Sequence, residues 1–244
     1  MIDLRVERWR AWAPGLDDAP AWAAWAAGGD AAVEDGQQPT CDVVPPMQRR
    51  RLSRLARIVV HAAWPLCGDD EQLPFVFASR HGETTRTFAM LADVGRDQPL
   101  SPTQFGLSVH NAIAGQWSIL RGQRGESIAI AGEGDTFEHA IVEAAGLLAE
   151  GAPAALVVMA EERPPAAYDG WIDDVPFSHA VALRVAPADR GGEGSRWRLS
   201  LHADTHDTTT AHEPHALRFV RALHDGRAFD HRWMTRRWAW RPLA

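Results

Sequence analysis

Two stretches hold side chains varied enough for chemistry. In FVFASRHGETTRT, Phe75 to Thr87, Arg80, His81 and Glu83 come directly after an apolar, strand-like segment. Guanidinium, imidazole and carboxylate at a strand end are groups from which a catalytic loop is built. In HADTHDTTTAHEPH, the side chains of His202, Asp204, His206, Asp207, His212 and His215 are all of metal-ligand type. Strand alternation puts His202 and Asp204 on one face, but the spacing fixes none of the others relative to them. A solvated polar loop, with Asp207 or Thr210 as a cap for the next element, accounts for that segment without a metal.

The elements that must position these groups alternate between strands and helices. Leu4 to Trp12 alternates and reads as a strand, broken by Pro14 and Gly15. DDAPAWAAWAAGG reads as a short helix, capped by Asp17 or Asp18 and ended by Gly28. MQRRRLSRLARIVVHAAWPLCG reads as one helix, with Leu52, Leu55, Val59 and Ala63 at helical spacing and Arg49, Arg50, Arg51, Arg54 and Arg57 crowding its first half. PFVFAS is a short strand and TTRTFAMLADVG a helix. A further helix runs from the Ser101 cap and Pro102 to about Leu120, placing His110 and Asn111 mid-helix. SIAIAG reads as a buried strand leading into DTFEHAIVEAAGLLAEG, a helix on which Asp135 and Glu138 form a capping-box-like pair. AALVVMAEE is a strand buried on both faces. SHAVALRVA and WRLSLHAD come next with a hairpin-like connection between them, then a helix in HEPHALRFVRALHDG and a final strand in RRWAWRP. This alternation indicates an α/β layered fold.

With 244 residues, 45% apolar, the chain can bury a sizeable core. A net charge of −7 argues against nucleic acid or an anionic membrane as partner. Cys41 and Cys67 lie outside any metal or redox spacing, as in ordinary cytosolic proteins. The charged start, MIDLRVERWRAWAPG, does not read as a signal peptide, and no run approaches the about 18 apolar residues of a membrane span. Among eleven tryptophans, Trp9, Trp197 and Trp238 stand beside charge, which suits half-buried sheet edges or an interface.

The run Arg80-His81-Gly82-Glu83-Thr84 is similar to the opening signature of the histidine phosphatases, in which the histidine takes the phosphoryl group. That resemblance implies a phosphatase using Arg80 and His81. The family also needs a second histidine and a second arginine converging on the phosphate and carries its signature near the chain start, whereas here the run begins at residue 80 and TRTFAM stands where Trp-Asn is usual. The spacing in His202–His215 is similar to that of binuclear metal-dependent hydrolases, a further alternative.

A longer resemblance covers most of the chain. In Ser101 to Glu162, Ser101-Pro102 opens a helix carrying Asn111 and Ala114-Gly115. Gly122, Gly125 and Ser127 lead into a strand, a turn and a helix, and a buried strand ends at Glu161-Glu162. This order resembles the N-terminal half of a β-ketoacyl synthase. VERWRAWAPGLDDAPAWAAWAAGGD resembles that family's first strand, Pro-Gly turn and helix. More narrowly, the chain resembles short ketosynthase-like chain length factors of aryl polyene and fatty-acid-like pathways.

The resemblance implies a single ketosynthase-like N-terminal domain over residues 1–244, thiolase-like, with a mixed five-stranded-type sheet covered by helices, half of a ketosynthase body. It implies a full-length β-ketoacyl synthase as heterodimer partner, transient contact with an acyl carrier protein, an acyl chain in a shared tunnel, no metal or other cofactor, and a cytoplasmic location. The nucleophilic cysteine of the family aligns with Gly134, which has no nucleophile, and Asp135 brings charge of the wrong sign for a thiolate or oxyanion. The two catalytic histidines of the family are also absent, so the chain reads as non-catalytic in condensation. By the same resemblance Thr103, Gln104, Phe105, Gly106 and Leu107 line the partner's tunnel and set chain length. Ser127, Ile128, Ala129, Ile130 and Ala131 pair across the dimer axis. Arg80, His81 and Glu83 form an interface loop, and Arg49, Arg50 and Arg54 suit docking of an acidic carrier protein.

Overall fold

In a computed structural model, residues 1–29, 33, 36–204 and 213–244 are described. The strands are β1 (Ile2–Trp12), β2 (Phe75–Ala78), β3 (Ser127–Ile130), β4 (Ala155–Glu161), β5 (His179–Pro187), β6 (Ser195–Ala203), β7 (Phe229–Trp233) and β8 (Arg236–Leu243). Among the described residues they form an eight-stranded sheet in the order β3-β2-β4-β5-β1-β6-β8-β7. β3, β2 and β4 run parallel, and each remaining neighbour pair is antiparallel. The sheet is mixed, as expected, and larger than the five strands anticipated.

The helices are α1 (Ala19–Ala26), α2 (Pro46–Arg49), α3 (Arg54–Ala63), α4 (Thr84–Val94), α5 (Pro102–Gly106), α6 (Ala112–Arg121), α7 (Thr136–Ala149) and α8 (His215–Asp225). Strand alternation divides the core into two layers. Val76, Ala78, Val157 and Met159 face a layer that holds Phe137 and Ile141 of α7, Phe219 of α8 and Trp22 of α1. Phe75, Phe77, Leu156 and Val158 face the opposite layer, under α3 and α6. Every residue of β4 is buried. Small side chains at Ala160, Ala180 and Ala182 let Leu55 and Val59 of α3 lie close to the strands.

Several expectations need correction. The helix anticipated from Met47 onward breaks before α3, because Ser53 takes an extended backbone and its Oγ accepts from Ala56 N at 3.0 Å. The helix from Ser101 likewise divides into α5 and α6. Ser101 does cap α5, but Asn111 stands just before α6 with no side-chain capping bond, and His110 Nε2 bonds Ser79 O at 2.8 Å from the break between them. Asp135 and Glu138 form no capping box, because both carboxylates are engaged elsewhere. β5 and β6 are not a hairpin: β1 lies between them. Trp197 and Trp238 are fully buried rather than at sheet edges. The strand expected buried at Ser127 is β3, a half-exposed strand at one edge of the sheet.

Candidate functional site

The parallel strands β2 and β4 end side by side, and each feeds a polar residue into the same place. Glu161, the last residue of β4, is buried beneath the loop that leaves β2. Its carboxylate accepts from Ser79 Oγ at 2.9 Å, from His81 N at 3.3 Å, and from Arg80 N in a shorter contact. Ser79 Oγ accepts in turn from Gly82 N at 2.8 Å, where the backbone is left-handed (φ 56°). Burial pushes the Glu161 carboxyl up to about 7, against the opposing pull of His81 and these hydrogen bonds.

The side chains of Arg80 and His81 converge on Asp174, with Arg80 Nη1 at 2.8 Å and His81 Nε2 at 2.9 Å. Burial would raise the Asp174 carboxyl, but the hydrogen bonds and charges of His81 and Arg80 hold it down to about 2. Glu83 turns away from this group into the protein, toward Ser53 Oγ at 2.5 Å and Arg86 Nε at 3.2 Å. Thus Arg80 and His81 act together and Glu83 belongs to a different network.

A cavity of about 370 Å³ lies over this group. Glu133, Glu161, Asp173, Asp174 and Glu213 reach its lining, against a single guanidinium among the described residues, Arg80. A phosphate would meet carboxylates rather than a cluster of cations, which overturns the phosphatase alternative. The metal-dependent hydrolase reading fails on divergence. His202 Nε2 bonds Ser200 at 2.9 Å, Asp204 holds Arg232 at 3.0 Å, and His215 turns to Glu138. His206, Asp207 and His212 lie outside the described residues.

Gly134 lines the same cavity, just before α7. The Trp233 indole from β7 lies against it so closely that a Cβ at Gly134 would overlap the six-membered ring. Trp233 is held by its Nε1 bond to Glu133 at 2.9 Å and by Arg80, whose guanidinium carbon is 4.9 Å from the ring centroid. Asp135, fully buried, receives Arg236 Nε at 2.6 Å and Trp238 Nε1 at 2.9 Å. Burial would raise the Asp135 carboxyl, but those two donors draw it below its ordinary value. The helix start therefore carries a carboxylate already paired, beside a position with room for no side chain.

A second groove, of about 470 Å³, brings together residues that the sequence left in separate groups. Arg50 and Arg54 line it with Glu83 and with Thr103, Gln104 and Leu107. Arg86 Nη1 bonds Gln104 Oε1 at 2.6 Å. Phe105 is 59% exposed, and Gly106 is also exposed. Arg49 pairs with Asp42 away from this groove. Ser127 to Ile130 are β3, and Ala131 comes next, exposed.

Sequence reasoning missed Asp174, Trp233 and His179. Asp174 sits in an aperiodic connection and left no signal. Trp233 had one: Phe229-Asp230-His231-Arg232-Trp233 alternates, directly before a strand. His179, buried on the cavity wall at the start of β5, is kept neutral by desolvation.

A family profile described as the β-ketoacyl synthase N-terminal domain matches residues 22–241. No curated protein gives a significant match. Among solved structures, the chain is similar to a chain in the complex of a ketosynthase with its chain length factor from Xenorhabdus doucetiae. The TM-score is 0.84 at 28% identity, over 99% of this chain and 100% of that one. It is similar to the ishigamide ketosynthase/chain length factor, with TM-score 0.66 at 19% identity, over 83% and 68% of the two chains. A β-ketoacyl synthase from Burkholderia phymatum STM815 gives 0.66 at 14% identity, over 86% and 66%. The last two likenesses bear on the fold alone.

Proposed function

This chain belongs to the family of the β-ketoacyl synthase N-terminal domain, with the thiolase-like fold of ketosynthases, and from that premise we propose that it is a chain length factor. It is the non-condensing partner of a full-length β-ketoacyl synthase, and it shapes that enzyme's acyl tunnel. In this reading residues 1–244 act as one ketosynthase-like domain, in the cytoplasm, in an aryl polyene or fatty-acid-like pathway.

The observation that carries the reading is the Gly134 site. The nucleophile position has no side chain, and Trp233 occupies the volume one would need. Two further features support it. Among the described residues β3 offers an unpaired strand edge on the side remote from β7, suited to pairing across a two-fold axis. α5 carries Phe105 outward, where it fills no space in this chain's own core. Arginines on the adjoining groove suit brief contact with an acidic carrier protein. Arg80 and His81 serve a partner contact indirectly, by keeping the Asp174 segment in position.

Co-expression with its cognate ketosynthase yields a stable heterodimer on affinity capture, and omission of this chain changes product length. A ketosynthase that neither binds the chain nor alters its products without it sinks the proposal. Within an intact complex, Phe105→Ala or Gln104→Ala shifts the product-length distribution by mass spectrometry. Both side chains are exposed, so the substitutions change this chain's own stability by only about 0.5 kcal/mol. An unchanged distribution would remove α5 from the tunnel.

A further inference from the structure

The cavity over Arg80 and Asp174 has one wall that the blocked Gly134 position does not account for. His179, the first residue of β5, stands on that wall and is fully buried. Its Nδ1 donates to Phe177 O at 3.0 Å. A carbonyl oxygen only accepts, so the ring proton is on Nδ1, and desolvation keeps the imidazole from taking a second one. Nε2 therefore carries a lone pair, and among the described residues no donor reaches it. A buried acceptor of this kind calls for an N–H or O–H partner.

The charge around the cavity is mostly of one sign. Three of the five lining carboxylates are matched by guanidinium groups: Asp174 holds Arg80, Glu133 holds Arg236 at 2.6 Å, and Glu213 holds Arg221 at 2.7 Å. Glu161 is not, since its bonds come from Ser79 Oγ and two backbone N–H groups. Asp173 is exposed and makes no hydrogen bond or ion pair among the described residues. The rest of the lining includes apolar surface from Phe137 and Met159, both buried. The Trp171 indole also belongs to it and is 84% exposed, so its own chain covers little of the ring. Carboxylates, an indole and apolar side chains together suit a cation with a hydrocarbon body.

We propose that this cavity binds a small primary amine as its alkylammonium ion, which donates an N–H to His179 Nε2 and has its charge balanced by Glu161 and Asp173. An ammonium group has three donors and no acceptor, the complement of a lone pair and free carboxylate oxygens. An alcohol would serve His179 and leave the carboxylates unmatched. A phosphate or carboxylate ligand would meet charge of its own sign. The volume of about 370 Å³ admits a molecule of small-metabolite size. All of these groups belong to one chain, so the site goes beyond the chain-length reading and stands or falls independently of it.

The test is calorimetric titration of the purified full-length chain at about pH 8, where an alkylamine is still protonated, at constant ionic strength. n-Butylammonium chloride gives saturable binding at one site per chain, with Kd below about 1 mM. Tetramethylammonium has the charge but no N–H, and binds about tenfold or more weakly. Butyrate, of similar length and opposite charge, gives no binding. Asp173→Asn, at an exposed and unpaired position, folds as the wild type does and weakens butylammonium binding about threefold. His179→Phe removes the acceptor and weakens it about tenfold. In wild-type chain labelled with ¹⁵N-histidine, butylammonium moves the unprotonated ring nitrogen of one imidazole among eleven. His179→Phe alters the core, so the wild-type chain decides. A folded wild-type protein that takes up no butylammonium to about 10 mM, or that binds tetramethylammonium or butyrate as tightly, overturns the proposal.

Discussion

Placing a cysteine at Gly134 yields a less stable protein whose new thiol forms no acyl-enzyme. The new Cβ meets the Trp233 ring, which is anchored through Glu133 and Arg80 and cannot swing away without breaking both contacts. Overpacking of this kind costs about 1–3 kcal/mol, so melting falls by about 3–10 °C for a chain of this size. Gly134→Cys combined with Trp233→Ala regains part of that loss, since the two substitutions share one volume and are not additive. The double variant still forms no acyl-enzyme. Its thiol faces Glu133, Asp174 and Glu161 across the cavity, and carboxylates raise a thiol's pKa. Intact-protein mass spectrometry with an acyl thioester reads the outcome directly. Acylation at residue 134 in either variant would mean that the site had kept more of its chemistry than the geometry allows.

Glu161→Ala destabilises the fold, and more strongly at pH 5 than at pH 8. The carboxyl is the acceptor for Ser79 Oγ, Arg80 N and His81 N, so truncation leaves three buried donors unpaired. At about 1–3 kcal/mol for each unsatisfied group, the loss at pH 5 amounts to about 3 kcal/mol or more. The pH dependence comes from the raised pKa. The native state holds the Glu161 proton up to about 7, whereas the unfolded chain releases it near 4.5. Its contribution is therefore complete below 4.5 and is lost as pH rises through about 7, a change on the order of 3 kcal/mol. The alanine variant lacks this dependence. Asp174 contributes in another window: its depressed pKa adds stability above about 4, lost as pH falls through about 2. His179, held neutral by burial, weakens the native state as pH falls below its ordinary 6.5. The wild-type minus variant difference, from urea melts at pH 5 and pH 8, separates Glu161 from both. A difference that stays constant across that interval would show that Glu161 is ionised throughout.

Much of the layering was legible because it depends on local chemistry. AALVVMAEE is almost uniformly apolar, and β4 is buried on both faces. Asp18 caps α1 and Ser101 caps α5, where short oxygen-bearing side chains precede helical runs. The strand, turn and helix around Gly134 were legible as well, from SIAIAG and DTFEHAIVEAAGLLAEG. The group packed against Gly134 was not. Trp233 is about a hundred residues further on, and a sequence does not show which strand end returns to which helix start. Ser53 and His110 illustrate a related limit. Apolar spacing continues through both positions, but side-chain bonds to Ala56 N and Ser79 O favour an interruption. Glu138 reads as a capping-box partner only if nothing else competes for it, and two distant imidazoles do. Asp174 was invisible for the plainest reason: a residue in an aperiodic loop takes its role from whatever the strands bring beside it.

The position of β1 has a bearing on how the chain is made. β1 spans residues 2–12, and its two neighbours are β5 and β6, which span 179–187 and 195–203. Synthesis proceeds at about 5–20 residues per second, so roughly 10–35 s separate the emergence of this strand from that of its first partner. Throughout that interval β1, with Leu4, Val6, Ala11 and Trp12 buried in the finished protein, has neither of its neighbouring strands to pair with. Nascent chains arrested before residue 178 should accordingly be sensitive to protease at the N-terminus and be held by trigger-factor-like chaperones, with protection appearing only once β5 has cleared the ribosome.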